Sequence, residues 1–178
     1  MTTKADFTPA DWELVLEGPP SAGMIVITAQ RGGMLRETIS MAKAYAEARQ
    51  HHGQSELLDE IVAAKPKVDH TRYGSMEELK QRSVAHLRDA AALVERQATP
   101  QELDEYRHFI VHLAERVAAA HRGGGHGEGP VSEAEQQAIA TIVEAIGAAG
   151  PGTADAGAAG PGTAGGGAAG PGAEAGPA

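Results

Sequence analysis

With 178 residues the chain has room for one ordinary domain, and a formal charge of −9 argues against the broad basic surface that nucleic acid or an anionic membrane requires. It has no cysteine, which removes disulfides, thiolate zinc sites and cysteine nucleophiles and makes a reducing, cytoplasmic setting the natural expectation. Two Phe, three Tyr and one Trp are its only aromatics, so Leu, Ile, Val, Met and Ala must fill the interior, a composition that suits closely approached helices.

Residues 1–7 carry no basic start followed by a long apolar stretch and read as a flexible lead-in. Thr8, Pro9 and Asp11 then form a capped helix start, since proline at the first helical position loses no needed hydrogen bond. This helix is expected to end by Gly18-Pro19-Pro20, with Trp12, Val15 and Leu16 inward and Asp11, Glu13 and Glu17 outward. The following stretch, residues 21–29, is almost wholly apolar and fits a buried helix or a short buried strand. A lone strand would have unpaired backbone groups and no evident partner, so helix is favoured. Its longest uninterrupted apolar run, Met24 to Ile27, is far too short to span a bilayer, and no membrane insertion is expected.

Gly32-Gly33 marks a turn, after which Leu35, Ile39, Ala42, Tyr45, Ala46 and Arg49 recur at helical spacing as far as His51-His52-Gly53. Leu57, Leu58 and Ile61 support a shorter helix that stops before Lys65-Pro66. Lys65, Lys67, His70 and Arg72 form the one concentrated basic patch and read as solvated loop residues.

Three helix-start signatures come next: Ser75-Met76-Glu77-Glu78, Thr99-Pro100-Gln101-Glu102 and Ser132-Glu133-Ala134-Glu135. In each, the hydroxyl can accept from an orphan backbone N–H while the glutamate reaches back to the cap. The first opens a helix with Leu79, Ser83, Leu87, Ala90 and Val94 on one stripe and His86 and Leu93 at its edge. The second aligns Leu103, Tyr106, Ile110, Leu113 and Val117, and the short link at Ala98-Thr99 suggests that these two helices form a hairpin. Residues 123–130 read as a flexible connector, and a last helix carries Ile139, Ile142, Val143 and Ile146 before a stop at Gly147. From Gly147 onward Gly-Ala-Ala-Gly-Pro-Gly recurs at 147–152, 157–162 and 167–172, a composition without enough apolar area to offset the entropy of ordering. The expectation is therefore all-α: one compact bundle of about six or seven helices over residues 8–146, followed by a disordered tail over 147–178.

Histidine is the residue type most able to conceal chemistry. His108 and His112 lie four apart on a strong helix, and Glu115 one turn on could add an oxygen ligand to a divalent metal. The set lacks the glutamate that a His-Glu-x-x-His protease needs, and it points away from the apolar stripe, so a solvated polar face is the simpler account. His86 reads as a core-edge imidazole, with no adjacent nucleophile to make it a base. His121, Gly123 to Gly125 and His126 lack the lysine and the preceding strand of a phosphate-binding loop.

The opening Phe7-Thr8-Pro9-Ala10-Asp11-Trp12-Glu13-Leu14, and the closing Pro130-Val131-Ser132-Glu133-Ala134-Glu135 through Glu144-Ala145-Ile146-Gly147, resemble the first and last helices of an uncharacterised all-helical bacterial protein family. The resemblance implies a small helical bundle and supplies no catalytic residues. A fainter similarity is to tellurite-resistance B-like helical domains, although this chain has no paired acidic Asp-Gly loop of the kind expected there. The function expected is that of a helical interaction or accessory protein with no cofactor and no identifiable catalytic site, engaging a protein partner or itself through part of the helices at 34–49 or 79–94. The alternative is a metal or small-ligand binding protein using His108, His112 and Glu115.

Overall fold

The computed structural model describes residues 1–29, 39, 41–47, 55–64, 74–122 and 132–147, and among these there is no strand. The helices are α1 (Pro9–Ala29), α2 (helical over 41–47), α3 (Glu56–Ala63), α4 (Met76–Gln97), α5 (Pro100–Arg122) and α6 (Glu133–Ile146). The basic patch at Lys65, Lys67, His70 and Arg72, the His51-His52 pair, the turn at Gly32-Gly33, the connector 123–130 with His126, and the tail 148–178 lie outside the described residues.

α1 begins as its sequence dictates. The Thr8 carbonyl takes the first intrahelical bond from Trp12 N–H, and its hydroxyl accepts from Asp11 N–H at 3.2 Å and donates to the Asp11 carboxylate at 2.7 Å. Phe7, before the cap, packs on Trp12 with ring centroids 5.6 Å apart, a hydrophobic staple that sets the angle of entry.

The break expected at Gly18-Pro19-Pro20 does not occur, for α1 runs unbroken through all three residues. Pro19 has no N–H to offer the carbonyl four residues back, that of Val15. The Tyr106 hydroxyl of α5 donates to that carbonyl at 2.8 Å instead. Gly18 makes the approach possible, because a Cβ there would stand 2.1 Å from the Tyr106 oxygen. Ser21 reinforces the same turn by donating its hydroxyl to the Glu17 carbonyl at 2.7 Å. A tertiary hydrogen bond thus fills the vacancy that local chemistry leaves.

Residues 21–29 are helical, as favoured, and every residue from Gly18 to Ile27 is buried. A helix apolar on all sides belongs at the centre of a bundle, and α1 accordingly touches α4, α5 and α6. The stripe residues Leu79, Ser83, Leu87, Ala90 and Val94 of α4 are all buried, as are Leu103, Tyr106, Ile110, Leu113 and Val117 of α5. The two helices are joined through Ala98 and Thr99, yet each meets α1 more extensively than it meets the other. On α6, Ile142, Val143 and Ile146 are buried and Ile139 is half-buried.

Of the stripe proposed for α2, Leu35 and Arg49 lie outside the described residues, Ile39, Ala42 and Ala46 are exposed, and Tyr45 faces the core as expected, together with Met41 and Ala44. Two contacts select that face. A Cβ on Gly23 would fall 2.4 Å from the Met41 methyl, so the glycine admits that side chain against α1. Tyr45 meets Phe109 of α5 edge to face at 5.2 Å.

Residues 1–7, read from sequence as a flexible lead-in, are docked. Lys4–Asp6 form one turn of 3-10 helix, Thr2 and Phe7 are buried, and Lys4 N–H donates to the Glu60 carboxylate of α3.

Candidate functional site

Two side-chain clusters bear on function, one closed and one open. The closed one centres on Glu102, which is only 4 % exposed. As the sequence signature requires, Glu102 N–H donates to the Thr99 hydroxyl at 3.3 Å, while the carboxylate accepts from Thr99 N–H at 2.9 Å and from its hydroxyl at 2.8 Å. The same carboxylate also accepts from Thr2 N–H at 2.7 Å and from the Thr2 hydroxyl at 2.8 Å. Burial acts against its charged form, but these four donors outweigh that and lower its pKa from 4.5 to about 2. A capping residue is therefore also the clamp for the N-terminus, and its acceptor oxygens are satisfied from within the chain.

The open cluster is a cleft of about 760 Å³ along α5, bounded by the end of α2 and the start of α3. Leu58 and Phe109 give it apolar contact, while Asp59, Asp104 and Glu105 line it with carboxylates. Arg116 and Glu47 close one side as an ion pair. Ser55 lies in the wall with its hydroxyl occupied, accepting from Leu58 N–H at 3.1 Å as the cap of α3. Glu105 is divided: Oε1 accepts from Gln101 Nε2 at 3.0 Å, whereas Oε2 is buried with no hydrogen-bond partner.

His108 and His112 both line this cleft, and both are exposed, as the helical wheel requires. His108 Nδ1 is engaged on its own helix, 2.9 Å from the Asp104 carbonyl and 3.5 Å from the Asp104 carboxylate. Glu115 is exposed one turn on and is not among the described residues lining the cleft. Among the described residues, no three His, Asp or Glu side chains come together as a metal site. His86 sits at the core edge with Nδ1 3.6 Å from the Glu17 carboxylate, an arrangement that is half open to solvent and outside the cleft.

The apolar stripe of α4 is spent in the core, so of the helix at 79–94 the outward face alone is left for a partner. Sequence spacing did place His108 and His112 on one face. It did not reveal Leu58 and Asp59 as their neighbours, since these arrive only when α3 docks on α5.

The described fold is thus an all-α bundle built around a buried helix, with an acid-walled cleft on one flank. No family model, curated protein or solved structure matches this chain. No described helix is long and apolar enough to cross a membrane.

Proposed function

We propose that this chain is a helical interaction or accessory protein that engages a partner through the cleft beside α5. The observation that carries the reading is the cleft itself: the apolar stripes of α4 and α5 are consumed inside the bundle, whereas Leu58 and Phe109 meet an open recess with charged walls. A recess of this size that combines apolar contact with a few polar groups is the usual form of a recognition site. Among the described residues of the cleft, the Ser55 hydroxyl is already engaged as the cap of α3, and the role we propose is an accessory one. The lack of cysteine supports a cytoplasmic setting, and the acidic balance supports a protein partner over nucleic acid. Kinship with all-helical bacterial proteins belongs to the same proposal and rests on the terminal motifs quoted above.

The test is quantitative recovery of partners from the native host with the full chain and with a Gln101→Lys/Asp104→Lys variant, both positions being exposed in the cleft. A stoichiometric partner, or self-association seen by sedimentation, that disappears in the variant supports the reading. Association that the variant leaves intact removes it.

A second reading has an observation of its own, since His108 and His112 share the cleft mouth. Two imidazoles four apart on a helix, with Glu115 nearby, would bind a divalent cation such as zinc. That reading requires stoichiometric, sub-micromolar binding that a His108→Ala/His112→Ala variant abolishes.

A further inference from the structure

We propose that residues 2–7 act as a latch that holds α3 against the bundle, so that opening the latch loosens α3 while α1, α4, α5 and α6 stay packed. The inference stands on the ties themselves and does not depend on what enters the cleft.

The helix that needs such a tie is α3. It has eight residues, fewer than a helix requires to persist alone in water. Each of α1, α4, α5 and α6 meets the other three, whereas of these four α3 meets chiefly α5. Leu57, Ile61 and Val62 give it a buried apolar face. The N-terminal segment adds a polar tie, in which the Glu60 carboxylate accepts from Lys4 N–H.

The segment is itself anchored on both sides of Lys4. Upstream, Thr2 is buried and donates its N–H and its hydroxyl to Glu102, in the first turn of α5, at 2.7 and 2.8 Å. Downstream, Phe7 is buried and packs on Trp12 of α1. Between these anchors the Asp6 carboxylate accepts from Thr3 N–H at 2.8 Å and from the Thr3 hydroxyl at 3.1 Å, which fixes the shape of the turn. A short segment seated on α1 and α5 thus passes its position to α3 through one backbone donor. Ser55, Leu58 and Asp59 form α3's part of the cleft wall, so the latch also sets where that wall stands.

The donor can be removed with the backbone left in place. Lys4 is exposed and opens the 3-10 turn, a position that accepts proline. Thr3 before it is extended at φ −130° and ψ 169°, the conformation that a following proline favours. Lys4→Pro therefore deletes the N–H that Glu60 accepts, and Lys4→Ala retains it.

The experiment follows amide hydrogen exchange by mass spectrometry in the full-length protein and these two variants. The expected result is exchange about tenfold faster across residues 56–64 in Lys4→Pro, with α4 and α6 unchanged and Lys4→Ala matching the parent. Exchange at 56–64 that Lys4→Pro leaves unchanged overturns the inference. A rise shared equally by α4 and α6 overturns it too, because the segment would then support the whole bundle and not α3. The same rise in Lys4→Ala removes the backbone donor as the link and overturns it as well.

Discussion

The hydroxyl of Tyr106 donates to the backbone carbonyl of Val15 across 91 positions of sequence, at 2.8 Å and inside the core. It stands where the N–H of residue 19 would stand if that residue were not proline. Removing the hydroxyl with Tyr106→Phe leaves the carbonyl buried without its donor, at an expected cost of about 1–3 kcal/mol in unfolding free energy. Denaturant titration reads this directly, and an unchanged midpoint would mean that the bond does not support α1. Restoring an N–H with Pro19→Ala offers the carbonyl a local donor and should shrink the cost of Tyr106→Phe.

Gly18 is the counterpart of that bond. In an ordinary helix interior Gly→Ala stabilises by roughly 1 kcal/mol. Here the new Cβ would lie 2.1 Å from the Tyr106 hydroxyl and 3.2 Å from Ala90 Cβ, so Gly18→Ala should destabilise by about 1–3 kcal/mol through overpacking. Part of that penalty disappears when Tyr106→Phe is present, because the closest atom has gone. A double-mutant cycle measures the coupling, and strict additivity would separate the two residues.

Glu102 predicts an acid-sensitive N-terminus. Its pKa falls from the ordinary 4.5 to about 2 in the fold, so the folded state binds its proton less readily than the unfolded chain does. The resulting stability, at most about 3 kcal/mol, is fully present above pH 4.5 and is lost as pH falls toward 2. Glu102→Gln should lower stability at neutral pH and flatten the fall between pH 5 and 2 in thermal melts. An unaltered pH profile in that variant would show that the clamp does not carry the linkage.

Gly147 ends α6 at φ +64°, and Arg107 Nε of α5 donates to the neighbouring Ile146 carbonyl at 2.7 Å. An L-residue is strained in this left-handed region. Gly147→Ala should cost about 1 kcal/mol and Gly147→Asn less, since Asn tolerates the left-handed region better. Equal melting temperatures for the three proteins would contradict the capping role.

Local chemistry was the legible part. The Thr99–Glu102 and Ser132–Glu135 signatures are realised as reciprocal caps. At Ser75 the hydroxyl accepts from Glu78 N–H, while Glu78 turns its carboxylate to Gly74 N–H. The 3.6 period gave the buried stripes of α4 and α5 residue by residue, because each has one face apolar. It misplaced α2, where small alanines lie on both faces and give the period little contrast. The passage of α1 through Pro19 and Pro20 was hidden because its remedy lies on another helix; a tyrosine within an apolar stripe, whose hydroxyl must find a partner when buried, was the available hint. The docked N-terminus was hidden for a related reason, since nothing in a capping box announces that its carboxylate will accept from Thr2 as well. The cleft mixes residues from three elements and carries no periodic signature at all.

The most direct test of the docking role places a photo-crosslinking side chain at Gln101, in the cleft, or at Gln137, exposed on α6, and irradiates the full-length protein in its native host. The account predicts one discrete protein adduct from position 101 and none from position 137. No adduct at 101, or the same adduct from both positions, would contradict it.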